Sequence, residues 1–267
     1  MFLTPVLLNK EVTMSLPKTP SFRLDGKRAL VTGGSRGIGF AAGLALAEAG
    51  AEVWIAARDR AQLDLAVSTA REAGLQLHSV AVDITQPADV QHALEQLPAL
   101  DILINSAGLA RHQHFTEVNR EDYDAVMDVN VRATFFVSQQ VVRKMKDAGI
   151  HGSIVHISSQ MGHVGGTMRS VYCASKFALE GMTRAMAIEL GPCGIRVNTL
   201  CPTFIETELS RISLADPAFH QQVLSNIKLG RLGQLEDVMG PVVFLVSPAS
   251  ALITGTALMV DGGWTAS

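Results

Sequence analysis

A chain of 267 residues with a net charge of −3 and 48% hydrophobic residues has ample apolar material for one large core. Its basic residues are scattered, which argues against a nucleic-acid surface. Cys173, Cys193 and Cys201 are odd in number and lack metal-ligand spacing, so no metal site is read here and a reduced, cytoplasmic setting is expected.

Residues 1–22 read as a flexible arm and residues 23–267 as a single domain. Phe2 to Leu8 is apolar but broken by Pro5 and followed by Asn9-Lys10-Glu11; it has no basic flank and is far too short to span a bilayer. Met14 offers an alternative start. A first strand is predicted over 28–32, then the turn Thr32-Gly33-Gly34-Ser35-Arg36-Gly37-Ile38-Gly39, then an Ala/Leu-rich helix over 38–49 that stops at Gly50. Further strands are expected over 52–56, 77–82, 101–105, 153–158, 195–201 and 257–260. Helices are expected over 59–73, 87–97, 119–147, 170–191 and 235–246. Runs such as Ile102-Leu103-Ile104 suit strands covered on both faces. The alternation predicts an α/β fold with one doubly wound, Rossmann-type parallel sheet and helices on both sides. Residues 202–230, with Pro202, Pro217 and Gly230, read as irregular and as a substrate lid.

Two features carry chemistry. A strand, a glycine-rich turn and a helix in succession can hold a phosphate, because glycines allow close backbone approach and the helix start presents N–H groups and partial positive charge. The helical spacing of Val171, Ala174, Phe177, Ala178, Met182, Ala185 and Met186 puts Tyr172 and Lys176 one turn apart on one face. A phenol with an ordinary pKa near 10 exchanges protons poorly at neutral pH. A neighbouring ammonium stabilises the phenolate and makes it a usable acid/base.

These stretches, with Asn105-Ser106-Ala107-Gly108, Asn130, Ser159, Gly194-Ile195-Arg196-Val197-Asn198 and Val260-Asp261-Gly262-Gly263, resemble the short-chain dehydrogenase/reductase family over residues 24 to 265. The resemblance implies an NAD(P)-dependent oxidoreductase that interconverts a secondary alcohol and a ketone. Tyr172 would be the acid/base, Lys176 would hold the nicotinamide ribose, Ser159 would bind the substrate oxygen, and Asn130 would orient Lys176 through water. Ser158 is assigned to the strand end. Cofactor contacts are expected from Gly33, Ser35, Arg36, Gly37, Ile38, Gly39, Arg58, Asp83, Ile84, Asn105, Ala107, Gly108, Tyr172, Lys176, Pro202, Thr203, Ile205 and Thr207. Ser106 departs from the usual second Asn, and Thr203 from the usual Gly after Pro202, which changes the backbone freedom before Thr207.

The second strand ends in Ala57-Arg58-Asp59. No acid stands where one would hold a ribose diol, Arg58 and Arg36 favour a 2′-phosphate, and Asp59 is placed at a helix N-cap. NADP is therefore favoured, with NAD the alternative. The substrate is expected to be small and polar (a sugar, polyol or hydroxy acid) and to meet Ser159, Met161, His163, Tyr172 and Phe204. Arg111, His112, His114, Arg169 and Glu206 are further candidates at the mouth. A 3-oxoacyl-[acyl-carrier-protein] reductase is the runner-up, with Lys144 and Lys146 as its basic surface, although Cys193 stands where such relatives carry an Arg. A dinucleotide-sensing regulator without turnover is the alternative of another class. Neither nucleic acid nor membrane is an expected partner. Relatives in the family pair through two long helices, here 119–147 and 170–191, and through their C-terminal ends, so the resemblance implies a homotetramer, with Val131, Phe135, Val142 and Met145 on a face suited to core or partner contact.

Overall fold

The computed structural model describes residues 16–207, 210–211 and 214–266; the expectations for residues 1–15, including Met14, lie outside them. Seven strands form one parallel sheet: β1 (Arg28–Thr32), β2 (Glu52–Ala57), β3 (Leu77–Ala81), β4 (Ile102–Asn105), β5 (Ser153–Ile157), β6 (Arg196–Pro202) and β7 (Ala257–Val260). Their order is β3-β2-β1-β4-β5-β6-β7. β1 lies between β2 and β4, so the winding direction reverses there and a crevice opens at the carboxyl ends of β1 and β4. Every residue of β4 and β5 is buried, as the unbroken apolar runs require.

Helices α1 (Gly37–Glu48), α2 (Arg60–Glu72) and α8 (Glu236–Val246) cover one face through Ala42, Leu46, Leu63, Val238 and Val242. The other face is covered by α3 (Pro87–Glu95), α5 (Thr134–Asp147) and α6 (Ser170–Leu190), through Val90, Leu94, Val137, Val141 and Met186. No helix among the described residues is long and apolar enough to cross a membrane.

Two elements differ from expectation. The predicted helix over 119–147 is α4 (Arg120–Met127) and α5, joined by a π-helical turn over Asp128–Ala133. The wider turn shifts the helical phase. Within α5 itself Val142 and Met145 lie in the core while Phe135 and Phe136 stand on the surface, so the predicted face is divided. The segment over 202–230 holds a helix, α7 (Pro217–Asn226), that sequence reasoning left irregular. Pro217 sits in its first turn, where a missing N–H costs nothing, and Asp216 caps it by accepting from the Ala218 N–H at 2.9 Å. Val223, Ile227 and Leu232 give it a small core of its own.

Candidate active site

The glycine turn is shaped by steric necessity. Gly33 has φ +67, and a Cβ there would meet the Ala107 backbone at 2.7 Å; a Cβ on Gly39 would lie 2.2 Å from the Gly33 carbonyl oxygen. The turn is thus pressed against the loop after β4, and the Ser106 N–H donates to Thr32 Oγ1 at 3.2 Å. At the start of α1, the preceding Arg36 is extended and makes no capping bond, and the first turn carries no acid. Its free N–H groups and partial positive charge make a cradle for an anion. A Cβ on Gly37, also left-handed, would lie 3.6 Å from Thr207 Cγ2, so Thr207 packs beside the glycine turn. The Thr203 N–H donates to the Val260 carbonyl at 3.2 Å, and its buried hydroxyl has no partner among the described residues.

Tyr172, Ser159 and Lys176 come together at the carboxyl end of β5. Ser159 caps the short 3₁₀ turn Gln160–Gly162, accepting from the Met161 N–H at 3.1 Å and donating to Gln160 Oε1 at 2.7 Å. Burial pushes the Tyr172 phenol up, while the Ser159 hydroxyl and then the Arg169 charge pull it back. Lys176 Nζ lies 5.5 Å from the Tyr172 ring centroid and donates to the Ile157 carbonyl at 2.8 Å. Burial lowers this ammonium to about 8, against the raising influence of Cys201 and Glu180. Ser158 is the strand-end residue: its N–H donates to the Leu200 carbonyl at 2.8 Å.

Asn130 sits in the π turn and clasps the loop after β4. Its Nδ2 donates to the Leu109 carbonyl at 2.9 Å and to Ser175 Oγ at 2.9 Å, and its Oδ1 accepts from the Leu109 N–H at 2.7 Å. A Cβ on Gly108 would stand 3.6 Å from Asn130 Oδ1 and 3.9 Å from Lys176 Nζ, so glycine keeps the space between amide and ammonium open. Asn105 points inward, donating to Ser138 Oγ at 2.9 Å and to His156 Nδ1 at 3.1 Å. His156 stays neutral, pushed down to about 3 by burial and then by the Lys176 charge.

At the far end of the crevice, Arg36 and Arg58 are exposed, and neither has an ion-pair partner among the described residues. Asp59 caps α2, accepting from the Gln62 N–H at 3.1 Å, as its position predicted. Ser35 Oγ donates to Gln62 Oε1 at 3.4 Å, which ties the glycine turn to α2. Asp83 accepts from the Thr85 N–H and hydroxyl at 3.0 and 2.8 Å, and Ile84 packs on the core beside it. Ile205 is buried in the core and bridges to Gly233.

Around the mouth, Phe204 lies 5.8 Å from Phe219 and 5.9 Å from Trp264, ring to ring. Met161 is buried beside Gly166, and His163 is partly exposed. Arg111 is paired with Asp122, His114 and Phe115 are exposed, and Glu206 is held by its N–H to the Gly233 carbonyl at 2.8 Å. Lys144 does not offer a basic surface, because its Nζ is bound to the Leu94 and Leu97 carbonyls at the end of α3.

The fold also gathers a trio that sequence spacing concealed: His163, Glu180 and Cys201, with ligand-type atoms within 4.8 Å of one another. The Cys201 thiol and the Thr199 hydroxyl donate to the buried Glu180 carboxylate at 3.4 and 3.0 Å, which satisfies it internally. Burial and then the Glu180 charge push the thiol up to about 12. The readable signal was Glu180, one turn beyond Lys176 on the same helical face.

Residues 33–265 match the adh_short_C2 family model, described as enoyl-(acyl carrier protein) reductase. The chain is 41% identical over 244 residues to L-xylulose reductase of Bos taurus, covering 91% of this chain and 98% of the relative. It is 40% identical over 250 residues to gluconate 5-dehydrogenase of Gluconobacter oxydans, covering 92% and 97%. A gluconate 5-dehydrogenase from Burkholderia cenocepacia, crystallised with NADP and tartrate, superposes with a TM-score of 0.88 at 36% identity, covering 92% of this chain and 98% of that one.

Proposed function

The chain belongs to the short-chain dehydrogenase/reductase family, and on that premise we propose that Tyr172, Ser159, Lys176 and Asn130 perform its chemistry. The protein is an NAD(P)-dependent oxidoreductase that interconverts secondary alcohols and ketones on small polar molecules: sugars, polyols or hydroxy acids. The convergence of Tyr172, Ser159 and Lys176 after β5, at the same carboxyl end of the sheet as the uncapped start of α1, carries this reading.

Gly33, Ser35, Gly37, Ile38, Gly39 and Thr207 hold the dinucleotide phosphates, and Lys176 its nicotinamide ribose. When bound, the nicotinamide supplies or accepts the hydride. Ser159 donates a hydrogen bond to the substrate oxygen. Tyr172 gives that oxygen a proton during ketone reduction and removes one during alcohol oxidation. Burial keeps the phenol protonated at neutral pH in the cofactor-free protein, the form reduction needs. Lys176 stabilises the phenolate left behind, and Asn130 holds the loop that borders it. NADP is preferred, because Arg36 and Arg58 present exposed guanidiniums where a 2′-phosphate would stand and Ala57 offers no repelling acid. The structural relative crystallised with NADP supports this preference.

The assembly is a homotetramer joined through α5 and α6, on which Phe135, Phe136, Phe177 and Ile188 are exposed. The setting is cytoplasmic, in keeping with three free thiols; different migration on reducing and non-reducing gels would count against it.

The test is reduction of ketoses and keto acids followed at 340 nm with both cofactors, in wild type and Tyr172→Phe. The variant should bind cofactor normally and lose activity about a hundredfold or more. Near wild-type turnover would remove Tyr172 from its role, and absence of turnover in both proteins would favour a sensor over an enzyme.

A further inference from the structure

We infer that Arg169 forms a carboxylate-binding subsite beside Tyr172, which makes hydroxy acids and keto acids, rather than neutral ketoses, the preferred substrates. The inference rests on the proposed role of Tyr172 and narrows the substrate class of that site.

Two guanidiniums stand near the mouth, and the fold treats them differently. Arg111 is neutralised by Asp122, whose carboxylate also accepts from Gln113 at 2.7 Å and Asn119 at 2.8 Å. Arg169 has no carboxylate within ion-pair distance among the described residues; its polar partner is His112, Nη1 to Nε2 at 2.6 Å. Burial and then the Arg169 charge lower His112, so it remains neutral and accepts this bond. A guanidinium has five N–H donors in a rigid fork, so one bond to His112 leaves most of the fork open.

The surroundings hold that fork in place. Arg169 Cζ lies 5.3 Å from the Phe204 ring centroid and 5.9 Å from that of Phe219, so two aromatic rings back the cation. Met168, immediately before it, has φ 59 and is the one non-glycine residue in the left-handed region among those described. Such strain persists where the surrounding structure demands it. A half-buried cation with no counter-charge among the described residues is an open electrostatic deficit, which an anion from solution relieves.

Position completes the argument. Arg169 precedes Tyr172 by three residues, and its charge acts on the phenol. A molecule whose carbonyl oxygen meets Tyr172 can therefore place a carboxylate of the same molecule on Arg169. The planar fork suits two-oxygen recognition, which a hydroxyl cannot match.

The experiment compares NADPH-dependent reduction of 5-ketogluconate and L-xylulose by wild type, Arg169→Gln and Arg169→Lys, with calorimetry of gluconate binding to the NADP-loaded proteins. The ratio of kcat/KM for the acid over the ketose should fall about a hundredfold in Arg169→Gln, chiefly through KM. Arg169→Lys should recover part of it, and gluconate affinity should follow the same order. If both substrates lose equally and the pH profile shifts, Arg169 acts on Tyr172 and the subsite is refuted. Equal gluconate affinity in wild type and Arg169→Gln refutes it as well, whatever the turnover. If no compound is turned over but gluconate binding still depends on Arg169, the subsite stands and the proposed reaction falls.

Discussion

Replacing Lys176 with methionine should make the cofactor-free protein more stable while abolishing turnover. Lys176 is 5% exposed, and burial lowers its ammonium from 10.5 to about 8. At 1.36 kcal/mol per tenfold, that gap corresponds to about 3 kcal/mol of strain carried by the folded state when the amine is charged. Methionine removes the charge but also leaves the Ile157 carbonyl without its donor, a loss of about 1 kcal/mol. The expected net gain is about 2 kcal/mol at pH 7. The unfolded chain holds this proton up to its ordinary value of 10.5, whereas the folded chain sheds it at about 8. The destabilisation is therefore complete below pH 8, and it fades as pH rises toward 10.5. Urea unfolding of both proteins at one protein concentration, at pH 7 and pH 10.5, measures the effect. A variant no more stable than wild type at pH 7, or a gain that does not shrink at pH 10.5, would refute the reasoning.

Arg58→Ala should cost NADP binding about 2–3 kcal/mol and leave NAD nearly untouched, shifting the kcat/KM ratio about a hundredfold toward NAD. Ala57→Asp should add to the shift, by repelling a 2′-phosphate and accepting from a ribose diol. A wild type that already prefers NAD, with a ratio unmoved by Arg58→Ala, would hand the ribose to Asp59 or the backbone. Light scattering at micromolar protein should give the mass of four chains, and a monomeric mass would contradict the assembly proposed for α5 and α6.

The parts of the site that were legible were the local ones. Tyr172 and Lys176 share a helix, so a four-residue interval was enough to place them on one face. Asp59 could be placed because an N-cap is decided within three residues, and the glycine turn because its φ angles and close approaches belong to a single stretch. What remained hidden depended on long-range contact. Arg169 meets His112 across 57 residues, and Cys201 meets Glu180 across 21. Neither pairing leaves a trace in spacing. The break at Asp128–Ala133 was hidden for another reason: both flanking segments are amphipathic, and a periodicity test run across them averages two phases into one. Asn130 sits in that break and clasps Leu109 across 21 residues, a contact that leaves no mark in spacing either.

The all-parallel sheet also has a consequence in time. No strand in it meets its neighbour through a tight turn, because parallel neighbours need a crossover. The central pair, Thr32 and Asn105, joins positions more than seventy residues apart. A nascent chain therefore holds the glycine turn long before it holds the loop that presses against it. Loop-closure entropy must be overcome at each such step before the contacts reward it, which makes folding slow for a chain of this size. During that interval β1 exposes Ala29, Leu30 and Val31, all buried in the finished sheet. A central strand with apolar side chains and unpaired backbone is a template for the wrong partner. Folding yield at high expression should thus be governed by how long β1 waits for β4, and not by the stability of the sheet once closed.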